Sequence, residues 1–212
     1  MIAAMTEESA AMLTKPFHRT LLTGTATLFL LSGCAGLLGG AKPPKYLFNL
    51  TPASKVEAGA AQSGTADNAI GVIAPSISQK LATTRIPVQS QPNQVAYLVD
   101  AKWVENPARL FQALLAETIT ARTGKLVLDE AQYLTAPGNR LSGELVDFGM
   151  DEASRSAIVT YDAVLTNANG EVIRKRRFVA SEPVVEITAQ YAGDAINRAA
   201  NKVAADVAAW IG

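Results

Sequence analysis

The chain has 212 residues, 49% of them hydrophobic, with 19 basic and 19 acidic side chains, one cysteine and one histidine. A net charge of zero leaves no overall field to gather nucleic acid, and a lone cysteine cannot close a disulfide within one chain. The length fits one domain with an adequate hydrophobic core.

The N-terminal part reads as a secretory signal. Lys15, His18 and Arg19 precede the apolar run Leu21 to Leu31, and the small residues Ser32 and Gly33 follow it, which is the three-part pattern of a cleaved signal. Leu31, Ser32, Gly33 and Cys34 together resemble a bacterial lipobox, in which cleavage falls just before the cysteine and the sulfur then carries a diacylglyceryl group. Each buried methylene contributes about 0.8 kcal/mol, so several acyl chains hold firmly where one holds marginally. Two other readings stay open. Thr20 to Ala41 carries no charge and could reach across a hydrocarbon core of roughly 30 Å, although Gly33, Gly36, Gly39 and Gly40 dilute its second half. A free catalytic or redox thiol would want an activating base, and none is encoded nearby except in the segment that leaves with the signal. Met12 is an alternative start that would shorten the signal and compact its basic head.

Removing residues 1–33 takes His18 with them, so the remaining chain has no imidazole. That excludes Ser-His-Asp and Cys-His catalysis, the usual zinc sites and most general-base schemes at neutral pH. Glu7, Glu8, Lys15 and Arg19 leave together and the charge stays balanced. Ala35 to Lys45, with its glycines and the pair Pro43-Pro44, reads as a tether. Its reach is at most about 36 to 40 Å.

Tyr46 to Leu50 is predicted as a first strand, and the Ala-, Gly-, Ser- and Asp-rich stretch through Asn68 as a surface loop or a partly disordered segment. Ala69 to Ala74 reads as a buried strand ended by Pro75, and Lys80 to Val88 as a strand that Pro87 confines to a sheet edge. A polar turn around Pro92-Asn93 leads to a partner strand, Val95 to Val99. Asn106 followed by Pro107 is a helix start, since asparagine caps well and proline at the first position gives up an N–H that has no partner there. Leu110, Phe111, Leu114, Leu115, Thr118 and Ile119 share one face of that helix, and Gly124 ends it.

Leu126 to Leu128 is a short strand. Leu141 to Met150, Ala157 to Leu165 and Glu171 to Ala180 form a three-strand run, with Asn169-Gly170 turning the second hairpin. Phe148 falls out of phase with Leu141, Gly143 and Leu145, which predicts a bulge near Val146-Asp147. Arg174, Lys175, Arg176 and Arg177 put charge on both faces of the last strand, so its middle belongs at an exposed edge or protruding hairpin, or in contact with lipid headgroups or an acidic partner. The adjacent acidic pairs Asp129-Glu130 and Asp151-Glu152 could serve glycoside chemistry only if burial separated their pKa values, and each sits beside a turn instead. From about Val185 to Ile211 apolar residues recur at helical spacing, with Trp210 near the end. These elements make an α+β fold, a mostly antiparallel sheet with two main helices packed on one face. The other sheet face then needs solvent-tolerant side chains or a partner.

Several features in order resemble the ABC-type transport auxiliary lipoproteins, the family that includes the PqiC-type proteins. They are the lipobox, the Tyr46-Leu47-Phe48 strand, Thr84-Arg85-Ile86 with Tyr97, and Asp100 to Trp103. After the amphipathic helix come Leu141 to Leu145 with Asp147-Phe148, the basic strand ending in Arg177-Phe178, and a last helix ending in Ala209-Trp210. The resemblance implies three regions: residues 1–33 a lipoprotein signal, 34–45 an acylated cysteine and tether, and 46–212 an auxiliary domain. It implies a non-catalytic role beside an ABC ATPase, a permease and a periplasmic protein with an MCE domain, docking that protein at the outer membrane and helping pass lipids. The absence of a G-x-x-x-x-G-K-[ST] loop agrees with ATP hydrolysis happening elsewhere. Ala35 implies export to the outer membrane, because aspartate after the cysteine favours inner-membrane retention in enterobacterial lipoproteins. No cofactor is implied beyond the diacylglycerol and N-acyl chain on Cys34, and a homo-oligomer is left open. Candidate docking residues are Arg85, Tyr97, Trp103, Arg174, Lys175, Arg176 and Arg177, with Tyr97 and Trp103 weighed between interface anchors and ordinary strand–helix packing. Competing classes are a lipid carrier with an apolar cleft, a structural outer-membrane assembly lipoprotein and an envelope hydrolase.

Overall fold

A computed structural model describes residues 43–128 and 137–212. The lipobox Leu31, Ser32, Gly33 and Cys34, most of the tether and the pair Asp129-Glu130 lie outside the described residues.

Nine strands and two helices are present among them: β1 (Tyr46–Phe48), β2 (Ile70–Val72), β3 (Ser76–Ile77), β4 (Arg85–Gln91), β5 (Gln94–Trp103), α1 (Pro107–Thr123), β6 (Val127–Leu128), β7 (Asn139–Asp151), β8 (Ser156–Asn167), β9 (Val172–Pro183) and α2 (Ala189–Ile211). All nine strands join one mixed sheet, and β7 is its spine. One edge of β7 pairs antiparallel with β8 along its whole length. The other edge is shared by β2, β3 and β4 in succession, each parallel to it over two or three residues. The long hairpins β4–β5 and β7–β8–β9 make the sheet mostly antiparallel, while the parallel contacts are short.

The predicted bulge lies between Leu145 and Asp147. It resets the pleat, so Leu141 and Leu145 before it and Phe148 and Met150 after it are all buried toward the helices. Without the extra residue, period-two alternation would turn Phe148 to the opposite face.

Both helices pack on that one face. Asn106 caps α1, its side chain accepting from the Ala108 N–H at 2.9 Å, and Gly124 ends it in the left-handed conformation at φ 68. Phe111 meets Phe148 and Tyr161 edge-on at 6.3 and 5.3 Å between ring centroids, which carries α1 onto β7 and β8. The second helix is alanine-rich on its inner face, and Ala195, Ala199, Val203 and Val207 are fully buried. It starts at Ala189, a turn later than its apolar spacing predicts, and Val185 ahead of it is exposed. The loop after β1 is a surface loop, as the composition implies, yet α2 fastens its start. Asn197 accepts from the Thr51 N–H at 2.9 Å and Asn201 from the Ala53 N–H at 2.7 Å. Further on, Glu117 of α1 accepts from the Val56 N–H at 2.8 Å.

One expectation is corrected. Pro87 does not place its strand at an edge, because β4 lies between β5 and β7. The missing N–H falls where the β4–β5 register is irregular, and pairing with β7 begins only at the next residue, Val88. The ring also finds space, since it faces Gly149 on β7, where a Cβ would run into the Pro87 carbonyl and ring. Gly149→Ala should therefore push β4 from β7 and cost about 1–3 kcal/mol. At about 2–4 °C per kcal/mol for a domain of this size, thermal denaturation followed by circular dichroism should show the loss.

Candidate docking surface

With both helices on one side, the opposite face of the sheet is open, and charge dominates it. Strand alternation divides the basic run of β9 between the two sides. Lys175 and Arg177 stand on the open face. Arg174 and Arg176 share the helix side with the buried Phe178 and Ala180. All four cationic residues are exposed, and among the described residues β9 pairs only with β8.

On the open face Glu144, Asp162 and Arg177 sit in register across β7, β8 and β9. Arg177 donates to both Asp162 carboxylate oxygens at 2.6 Å, a fork-to-carboxylate pair. That hydrogen bond, reinforced by the charges of Arg177 and Lys175, holds the Asp162 carboxyl below the usual aspartate range against the opposing effect of partial burial. One residue row away, Lys80 binds Asp147 at 2.8 Å. The Tyr97 hydroxyl donates to the Lys80 carbonyl at 3.3 Å, and the Arg85 guanidinium lies 4.1 Å over the Tyr97 ring. A continuous patch thus runs from Arg85 and Tyr97 through Lys80 and Asp147 to Asp162 and Arg177. It also borders a hollow of about 230 Å³ lined by Lys80, Pro87, Asp147, Gly149 and Ile158, among others.

The structure joins three of the sequence-level candidates, Arg85, Tyr97 and Arg177, on one face, with Lys175 beside them. It sets Arg174 and Arg176 on the other side of the edge strand, their guanidinium groups over Trp210 and Phe178 at 4.9 and 5.0 Å. Trp103 is corrected as a docking residue. It is 2% exposed and packs among Phe48, at 6.2 Å, and Phe148, at 5.0 Å between centroids, so it has no surface to offer a partner. Lys80 and Asp147 are not among the docking candidates that the sequence offers. Their meeting needs the turn after β3 to fold over β7, and nothing in either local stretch signals that. Asp151 is used locally, accepting from the Ser154 N–H at 2.8 Å to tie the β7–β8 turn. Tyr161, buried in the core, donates to the Ser142 carbonyl at 2.8 Å, and burial raises the pKa of its hydroxyl.

A second concavity lies on the helix side, between the β4–β5 hairpin and the segment leading into α2. Its volume is about 610 Å³, and Val88, Ala96, Leu98, Val99, Val185 and Ile187 contribute its apolar lining, with Glu152, Arg155 and Glu186 also on its walls. Val99 and Val185 are 78% and 82% exposed, and Asp100 next to Val99 has φ 60. The strained residue lies in a stretch where β5 advances five residues, Tyr97 to Lys102, against two on β4.

Residues 48–208 match the family described as the ABC-type transport auxiliary lipoprotein component. The chain belongs to that family. Among solved structures, this auxiliary lipoprotein is similar to a DUF330 protein from Xanthomonas campestris, with 17% identity and a TM-score of 0.61 over 80% of this chain and 92% of that one. It is also similar to an uncharacterized protein, at 14% identity and a TM-score of 0.59 over 79% and 96% of the two chains. At these identities the likeness is one of fold. A comparison with curated proteins found no match. No helix among the described residues is long and apolar enough to cross a membrane.

The Arg177 pairing fixes the sign of a pH effect. Because the Asp162 pKa is lowered on folding, the pairing stabilises the fold above the ordinary aspartate value of 3.8, and that stabilisation is lost as pH falls through the lower folded value. Arg177→Met should destabilise the domain near neutral pH, and its difference from the parent in denaturation midpoint should shrink below pH 3.8.

Proposed function

We propose that this auxiliary lipoprotein is a non-catalytic, periplasm-facing component of an ABC-driven envelope lipid transport system. An acylated Cys34 holds it to the outer membrane, and its domain docks the periplasmic MCE-domain protein that works with the permease and ATPase. Family membership across residues 48–208 supports a transport auxiliary role. The observation that carries the docking reading is the open sheet face, where two sequence-distant segments, one with Arg85 and Tyr97 and one with Arg177, meet through the Lys80–Asp147 pair. Charged groups already held in place lose little freedom when a partner arrives, and they select it by charge. No chemical step is assigned to the carboxylates of this face. Asp162 is held ionised by its cation, the reverse of the raised pKa that a general acid requires.

The anchor and the docking are tested separately. Cys34→Ala should remove the protein from the outer-membrane fraction, and a Cys34→Ala protein still in that fraction would rule the anchor out. Affinity capture of the membrane-anchored protein should bring down an MCE-domain protein with its permease and ATPase. Paired reversal of Arg85 and Lys175 to glutamate, which keeps the Arg177–Asp162 pair, should weaken that recovery while leaving the thermal transition largely in place.

The helix-side groove favours a second reading, in which the domain itself shelters an acyl chain during transfer. Mass spectrometry of the purified domain separates the two. A stoichiometric co-purifying lipid, lost in Val99→Glu, supports the carrier, and a lipid-free domain supports docking alone.

A further inference from the structure

We propose that the outer edge of β9 receives an acidic extended segment of the periplasmic partner as an additional strand. This deepens the docking reading above and rests on it, naming both the geometry and the chemistry of the contact.

The first observation is the backbone. From Val172 to Pro183 β9 pairs with β8 alone, so its outer row of N–H and C=O groups has no strand partner among the described residues. Twelve residues is long for an uncovered edge, and such edges either carry guards against pairing or are used for it. The second observation is where the cations sit. A guarding charge projects across the edge, whereas here three of four are drawn aside. Arg174 lies over Trp210, Arg176 over Phe178, and Arg177 is forked onto Asp162. They flank the edge on both sides and leave it approachable.

These two facts specify the incoming strand. Successive residues of a strand face opposite sides. A segment laid beside β9 therefore meets Arg174 and Arg176 on one side and Lys175 and Arg177 on the other. Consecutive carboxylates satisfy both rows, since opposite charges directly across a ladder attract. Past the basic run, Val179 is 56% exposed on the open face and suits an apolar neighbour in the added strand. Anionic lipid headgroups would also satisfy the cations, but they would leave the row of backbone donors and acceptors unused.

The test uses the full lipoprotein in detergent and a fluorescent peptide with three consecutive glutamates flanked by valine and threonine. Its controls are the same peptide with lysine for glutamate, the glutamate peptide N-methylated at alternate amides, and, for residues 35–212 without acyl chains or detergent, vesicles of phosphatidylglycerol and phosphatidylethanolamine. Saturable binding of the glutamate peptide is expected, with none of the lysine peptide. Methylation, which keeps the charge and removes the ladder, should weaken binding by about tenfold or more, as should Arg174→Glu with Arg176→Glu. Arg109→Glu, exposed on α1, should leave it unchanged. Equal binding of the methylated peptide would reduce the contact to charge attraction and overturn the proposal. Binding to vesicles without binding to peptide would assign the edge to lipid, and no binding to either would leave the cations as edge guards; both overturn it. None of these outcomes touches membrane fractionation of Cys34→Ala or recovery of the MCE-domain protein, so the failure of this contact is distinguishable from failure of the docking role.

Discussion

The structure depends on β7 being hydrogen-bonded along both edges by different kinds of neighbour. A single long antiparallel strand occupies one edge, and three short parallel strands from the first half of the chain divide the other. The first half of the fold has little sheet of its own beyond the β4–β5 hairpin, and it gains backbone pairing by adding to a strand made later in the chain. The bulge after Leu145 keeps this arrangement compatible with one core, since it returns Phe148 and Met150 to the face where α1 and α2 lie. Phe148 then links Trp103 to Phe111, and Phe111 reaches Tyr161, joining both halves in one aromatic chain.

Putting both helices on one face leaves the other to be solved electrostatically. Its central strands carry Asp147 and Asp162, and basic groups from either side, Lys80 and Arg177, pair with them. The face is thereby wet enough to stay exposed, yet its charges are oriented instead of freely mobile. Alternation along β9 does the rest, since one run of four basic residues becomes two rows with different supports, aromatic on the helix side and carboxylate on the open side.

Much of this was readable where the signal was local. Asn106-Pro107 and Gly124 bound α1, Asn169-Gly170 turns β8 into β9, and the phase break at Phe148 locates the bulge. The basic run was likewise readable as an exposed edge, because four consecutive charges cannot be buried on both faces. What could not be read was set by distant partners. Pro87 sits inside the sheet only because Gly149 makes room for it, and a proline rule applied to its own strand cannot see that residue. Trp103 has the composition of an interface anchor but is claimed by Phe48 and Phe148 from opposite directions in sequence. The short strands β3 and β6 consist of two residues each and have no periodicity to detect.

The first strand has a mechanical meaning. The chain enters the domain at β1, three residues paired parallel to the end of β5, with Phe48 resting on Trp103 and fitted against Gly193 of α2. Tension arriving through the N-terminal chain and directed along β1 loads its backbone bonds in shear, so that they must fail together and not one after another. Were they to give way, the aromatic contact beneath would be the next to open, and the first tear would start beside the core instead of at a loose surface end.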